Sequence, residues 1–137
     1  MRLPLLLDTN ICIWVMNGQL PQRGVEALTE AYNLGQTTYV SPITALEVAT
    51  LMRKGRFKSP LSPQRWFEEV MRQPRFALAP MPPEVLIESQ LLPGGIHKDP
   101  ADRILAATAR KYDYILLTAD RALLDYARDG HLSALEC

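Results

Sequence analysis

Cysteine is scarce in this chain, with only Cys12 and Cys137 among 137 residues. Two cysteines so far apart make neither a disulfide framework nor a metal-binding spacing, so a reducing, cytoplasmic setting fits best. Cys137 is the last residue, where neither order nor a defined bridge is expected. Histidine is equally rare. His97 and His131 alone leave little material for a histidine-centred hydrolase or a metal-free ribonuclease. Long apolar runs are missing too: Leu3 to Leu7 is too short for a secretory signal and stops at Asp8. No stretch approaches the ~18 apolar residues of a membrane span. Phosphate-loop, zinc-protease and nucleophile-elbow motifs are absent, as are repeats and linkers. What remains is one soluble domain over residues 1–137, with no membrane partner.

An excess of charge is also lacking, since 15 basic residues face 15 acidic ones. That balance is poor for a nucleic-acid binder, but its distribution is uneven. Arg53, Lys54, Arg56, Lys58, Arg65, Arg72 and Arg75 face only Glu68 and Glu69, a local excess of five positive charges. Such a segment can hold a phosphate backbone while the whole chain stays neutral. A pair of solvated helices with extended Arg and Lys side chains is the plainer account of the same residues.

Apolar runs alternate with helical patterns along the chain. Short strands are expected at Leu3 to Leu7, Thr38 to Val40, Phe76 to Leu78, Tyr114 to Leu117 and Leu132 to Leu135. Between them, Asp8-Thr9-Asn10, Ser41-Pro42, Ser62-Pro63, Pro82-Pro83 and Asp99-Pro100 open helices, with capping side chains or a proline at the first turn. A further helix runs from Pro21 to Leu34, with Val25, Leu28, Ala31 and Tyr32 on one face. Another covers Ala122 to Ala127. Strands alternating with helices predict a three-layer α/β/α domain around a mainly parallel central sheet.

Four acidic residues stand out in this frame. Asp8 directly follows a strand, Asp120 stands at the carboxyl end of another, Glu47 lies inside the helix opened by Ser41-Pro42, and Asp102 lies in the first turn after Asp99-Pro100. Each has an ordinary explanation when taken alone. Asp8 and Asp120 suit helix N-caps, Glu47 suits a solvated surface, and Asp102 faces the positive end of a helix dipole. Asp99 is mainly the cap of that helix. Gathered at the strand ends of an open α/β sheet, however, four carboxylates would make an oxygen-ligand metal site. Thr9 and Thr118, beside two of them, are candidates to orient ligands or waters, and they equally suit turns.

Leu-Leu-Asp-Thr-Asn at 6–10, His-Lys-Asp-Pro-Ala-Asp-Arg-Ile-Leu-Ala-Ala at 97–107 and Leu-Leu-Thr-Ala-Asp at 116–120 resemble the PIN-domain ribonucleases. The resemblance is closest to the VapC-type toxins of bacterial toxin–antitoxin pairs, and it runs from Leu5 to Leu135. The Glu47 context is compatible with it but less distinctive. The resemblance implies a PIN-like fold and an endoribonuclease that cuts single-stranded or loop RNA, transfer or ribosomal RNA included. It implies one or two Mg²⁺ or Mn²⁺ ions held by Asp8, Glu47, Asp102 and Asp120, with Thr9, Thr118 and Asp99 supporting them. Hydrolysis would leave 5′-phosphate and 3′-hydroxyl ends. A homodimer and a cognate antitoxin are implied as partners. Ile11, Trp14, Val15 and the Trp66-Phe67-Val70-Met71 face are candidates for the antitoxin groove or dimer seam, and as readily for plain core. Lys54, Arg56, Lys58, Arg103 and Arg121 are the candidate RNA contacts.

Three other readings compete. A PIN nuclease of housekeeping RNA processing would use the same residues. An aspartyl-phosphate enzyme of the haloacid-dehalogenase type would need a second aspartate where Asn10 stands. A non-catalytic RNA-binding module would gain nothing from concentrated negative charge.

Overall fold

The computed structural model describes residues 4–96 and 99–137. Its elements in chain order are β1 (Leu5–Leu7), α1 (Thr9–Asn17), α2 (Gln22–Asn33), β2 (Thr38–Val40), α3 (Pro42–Arg53) and α4 (Pro63–Met71). These are followed by β3 (Phe76–Leu78), α5 (Pro83–Gln90), α6 (Pro100–Tyr112), β4 (Ile115–Thr118), α7 (Arg121–Arg128) and β5 (Ser133–Glu136). The strands form one sheet in the order β3-β2-β1-β4-β5, and every pairing is parallel. The sheet is therefore wholly parallel among the described residues. Its expected strands and helices are present, with ends shifted by a residue or two. Expectations that fall on Leu3, His97 and Lys98 lie outside the described residues.

Strand alternation divides the core in two. Leu5 and Leu7 point to one face and join Ile11, Cys12, Val40, Val48, Trp66, Val70 and Leu117. Leu6 points to the other and joins Leu105, Ala106, Tyr114, Leu116, Leu123 and Tyr126. Helices α1, α2 and α4 cover the first face, and α6 and α7 the second, which gives the three-layer architecture. Both sides of β1 are covered, so its three residues are all apolar and buried.

Some expected surfaces lie elsewhere. Ile11, Trp66 and Val70 are core, and Trp14, Val15, Phe67 and Met71 pack against the same cluster. Trp66 is therefore core, whereas Trp14 and Phe67 are partly buried against it. On α2 the buried residues are Gly24 and Ala31, whereas Val25 and Tyr32 are 41% and 51% exposed. The packed face is rotated from the expected one, with Gly24, Ala27, Leu28 and Ala31 turned to the core. At Gly24 the approach is close: a Cβ there would lie 2.5 Å from Cys137 Sγ. Cys137 lies against α2, and its N–H donates to the Thr118 carbonyl at 3.0 Å. Both cysteines are free thiols. No helix among the described residues is long and apolar enough to cross a membrane.

The sheet order places the site. The chain runs β1, β2, β3 outward on one side, then returns through α5 and α6 to lay β4 against the other side of β1. The order therefore reverses between β1 and β4, and a crevice opens beyond their carboxyl ends. The Asp8 N–H donates to the Leu117 carbonyl at 3.1 Å, tying the two strand ends together there.

Candidate active site

Asp8 is the first residue past β1 and the N-cap of α1. An N-cap carboxylate usually accepts from the second or third helical N–H. Asp8 Oδ1 instead takes the adjacent Thr9 N–H at 2.7 Å, and Oδ2 takes the Thr118 hydroxyl at 2.7 Å. Both oxygens are thus steered, and the side chain is 6% exposed. The Thr118 hydroxyl in turn accepts the Asp120 N–H at 3.0 Å, linking the ends of β1 and β4 through one side chain.

The other acids arrive by different local routes. Asp120 caps α7 through the Leu123 N–H at 3.0 Å. Asp99 caps α6, accepting from the Ala101 and Asp102 N–H groups at 2.9 and 3.2 Å, with Pro100 at the first helical position. That cap sets the direction of α6. Its small buried residues Ala101, Ala106, Ala107 and Ala109 let the helix lie close on its neighbours. Asp102 is consequently buried in the first turn. Glu47 sits in the second turn of α3, whose start is fixed by the Ser41 hydroxyl on the Ile43 N–H. The Thr9 hydroxyl donates to Glu47 Oε1 and lies 3.0 Å from the hydroxyl of Thr44.

Asp8, Glu47, Asp99, Asp102 and Asp120 line one cleft of about 430 Å³, together with Thr9, Asn10, Ile43, Leu46, Thr50, Leu51, Lys54 and Arg56. All four predicted acids are therefore brought together, with Asp99 beside them. Confinement shows in their ionisation. Burial raises the carboxyl of Asp8 above the ordinary aspartate range; the Thr118 and Thr9 hydrogen bonds oppose the rise, and Asp120 and Asp99 add to it. Glu47 is raised mainly by burial, against the pull of Thr9 and with help from Asp8 and Asp99. Asp102 is pushed up to about 8, first by burial and then by Asp8, Asp99, Asp120 and Glu47.

Every ligand-type atom offered by these acids is a hard oxygen, which suits Mg²⁺, Mn²⁺ or Ca²⁺ rather than a soft metal. No three of the described acidic, histidine or cysteine side chains converge into a ready metal cage. Carboxylate oxygens can also hold a hydrated cation such as Mg²⁺ through its retained waters, without a closed cage.

The basic residues separate. Lys54 and Arg56 are exposed and stand at the cleft. Lys58 and Arg121 are exposed but do not line it. Arg103 is turned to α5, its Nε donating to the Ser89 carbonyl at 2.8 Å and a terminal nitrogen to the Ile96 carbonyl at 3.5 Å. Adjacent helical residues do not share a face, so Arg103 is kept off the side that Asp102 presents, and the packing of α5 on α6 supplies its partners. Asn10 and Thr50 line the cleft without having been predicted as site residues, and Thr44, buried behind it, reaches Thr9. The spacing of three from Glu47 put Thr44 on the same helical face, but nothing local showed what its hydroxyl would meet.

The fold and the cleft define a class: a parallel α/β domain with a carboxylate cluster at the switch point of its sheet. Residues 5–129 match the model of the PIN domain, and the chain belongs to the PIN domain family. It is similar to the ribonuclease VapC22 of Mycobacterium tuberculosis, 29% identical over 118 residues that make up 86% of this chain and 88% of that protein. Among solved structures it resembles VapBC2 from Rickettsia felis bound to a promoter DNA fragment, with TM-score 0.73 and 18% identity over 98% of each chain. A toxin–antitoxin complex from Klebsiella pneumoniae superposes with TM-score 0.62 at 21% identity, over 96% of this chain and 95% of that one.

Proposed function

We propose that this protein is a Mg²⁺- or Mn²⁺-dependent endoribonuclease of the VapC type, the toxin of a toxin–antitoxin pair, acting on single-stranded or loop RNA. The supporting observation is the concentration of Asp8, Glu47, Asp102 and Asp120 in one cleft, where Asp102 is raised to about 8 by burial and by the other acids. Repulsion of that kind is a standing cost that a divalent cation removes. The similarity to ribonuclease VapC22 supports the same activity. The toxin–antitoxin complexes among the structural relatives support an antitoxin partner.

One or two bound ions would supply Lewis-acid polarisation of the phosphoryl oxygens and a water of lowered pKa. The chain's own residues do the rest. Thr9 and Thr118 hold Asp8 in a single orientation, and Thr9 also holds Glu47. Lys54 and Arg56 take the phosphates that flank the scissile one. Exposed Leu86, Ile87 and Leu91, at 41%, 60% and 73%, give α5 and the residue after it an apolar surface suited to a second copy.

The test is incubation of purified, antitoxin-free protein with total cellular RNA and Mg²⁺ or Mn²⁺, followed by mapping of new 5′ ends. Discrete ends bearing 5′-phosphate, lost on chelation and with Asp102→Asn, are expected. Ends bearing 5′-hydroxyl and 2′,3′-cyclic phosphate partners would overturn the metal-dependent hydrolysis. A folded protein that makes no cuts with either metal would return the cleft to a binding role.

A further inference from the structure

Threonines inside helices commonly turn their hydroxyl back onto the carbonyl four residues earlier. Thr50 does so, donating to the Leu46 carbonyl at 2.8 Å, and Thr108 does so to the Ile104 carbonyl at 2.7 Å. Thr44 behaves differently. Its side chain is fully buried, and its hydroxyl reaches out of α3 to lie 3.0 Å from Thr9 Oγ1 at the start of α1. The direction of that contact follows from counting hydrogens, since a threonine hydroxyl carries only one. Thr9 directs its hydrogen onto Glu47 Oε1. In the contact with Thr44, Thr9 is therefore the acceptor and Thr44 the donor.

We infer that Thr44 is a positioning residue for the proposed nuclease, setting Glu47 through Thr9. The inference rests on the reading that Glu47 belongs to the metal-binding cleft. The chain of donors runs Thr44 Oγ1 to Thr9 Oγ1 to Glu47 Oε1, so Oε2 is the Glu47 oxygen with no hydrogen bond among the described residues. Thr9 is the pivot, because its N–H also holds Asp8 Oδ1. One residue thus spans two carboxylates from different elements, and Thr44 supplies the donor that selects its rotamer. A β-branched side chain answers sharply to such a choice, having few χ1 wells available. Thr44 and Glu47 lie three apart on α3, so one helix provides both ends of the chain and keeps its length constant.

The test uses the full chain as wild type, Thr44→Val, Thr44→Ser, Thr9→Val and the Thr9→Val/Thr44→Val double variant. Mn²⁺ affinity is measured by titration calorimetry, RNA cleavage as separate kcat and KM, and folding by melting temperature. Thr44→Val is expected to weaken Mn²⁺ binding and lower kcat by about tenfold each, the scale of supporting hydrogen bonds to metal ligands, while KM for RNA stays within about twofold. Thr44→Ser, which keeps the donor, should recover both to within about threefold. If Thr44 acts only through Thr9, the double variant will be no worse than Thr9→Val alone. Should Thr44→Val not fold, Thr44→Ala takes its place in the same comparison. A folded hydroxyl-free variant with wild-type affinity and kcat would overturn the inference. So would additive losses in the double variant. A wild-type protein that neither binds Mn²⁺ nor cuts RNA would overturn the nuclease reading itself, and the role of Thr44 with it.

Discussion

The two ends of the sheet are built from the same five strands and treat charged groups in opposite ways. At the amino end, just before β3, Arg75 adopts a left-handed backbone with φ 61° and lays its guanidinium 5.3 Å from the centre of the Tyr32 ring. Tyr32 is half exposed there. At the carboxyl end the polar side chains are driven inward: Asp8, Thr9, Ser41, Thr44, Asp102 and Thr118 are all buried. Asp8 and Asp102, the buried carboxylates among the described residues, both belong to that end. A fold that only needed stability would avoid such a cluster, because buried like charges cost free energy without a counter-ion. The difference makes the carboxyl end the candidate working end, and it can be tested by altering each end in turn.

The largest effect is expected from Asp8→Asn. Cleavage of a mapped RNA site should fall by at least about 10³-fold, with an unchanged circular dichroism spectrum. Comparable turnover by the folded variant would remove Asp8 from the reaction. Replacing Lys54 and Arg56 together by Ala should raise KM about tenfold and leave kcat unchanged. The slope of log KM against log salt should become shallower by about 1.4, for two single-strand phosphate contacts at ~0.7 each. An unaltered slope would place the RNA path elsewhere.

The acids also predict how the metal-free protein responds to pH. Asp102 titrates near 8 in the folded state, above its ordinary value of 3.8, so the folded protein holds the proton more tightly than the unfolded chain does. Stability from this group is fully present below about pH 4 and is lost as pH rises through about 8. Asp102→Asn should therefore raise the melting temperature of chelated protein at pH 8 by about 3–6 °C, from roughly 1–2 kcal/mol after solvent screening, and change little at pH 4. Mn²⁺ should stabilise the wild type more than the variant in the same scans. A pH-independent difference would show that the carboxylates are relieved some other way. The smallest effect belongs to the amino end. Arg75→Gly removes the left-handed strain and the ring contact together, so the melting temperature should move by less than about 3 °C with cleavage unchanged within twofold. A large loss of cleavage would break the contrast between the two ends.

Much of the fold was legible before any coordinates. Thr38 to Val40 and Phe76 to Leu78 emerge as strands at the predicted residues, and Ser41, Ser62 and Asp99 cap the predicted helices. These features depend on side chains acting on backbone within one turn of themselves, which the order of residues states directly. The four acids were visible as residues that interrupt or follow apolar runs. Their ordinary explanations were visible too, and the structure keeps both: Asp8 and Asp120 cap helices while lining the cleft. Less legible were the surfaces. Trp66 and Val70 have the spacing of either a groove or a core, and only the packing of α4 on the sheet makes them core. The burial of Gly24 against Cys137 joins residues far apart in the chain, so no local pattern announced it.

By itself, the sequence determined the elements, their caps, the parallel character of apolar strands buried on both faces, and which residue types stand at the strand ends. Each of these follows from interactions over a few residues. Only the tertiary structure decided which of those residues meet. The order β3-β2-β1-β4-β5 sets the end of β1 beside the end of β4, bringing Asp8 and Asp120 into one cleft. It turns Arg103 away to α5 and aims Thr44 at Thr9. Burial and charge repulsion act through space, so the raised carboxyls of the candidate site exist only once the chain has folded.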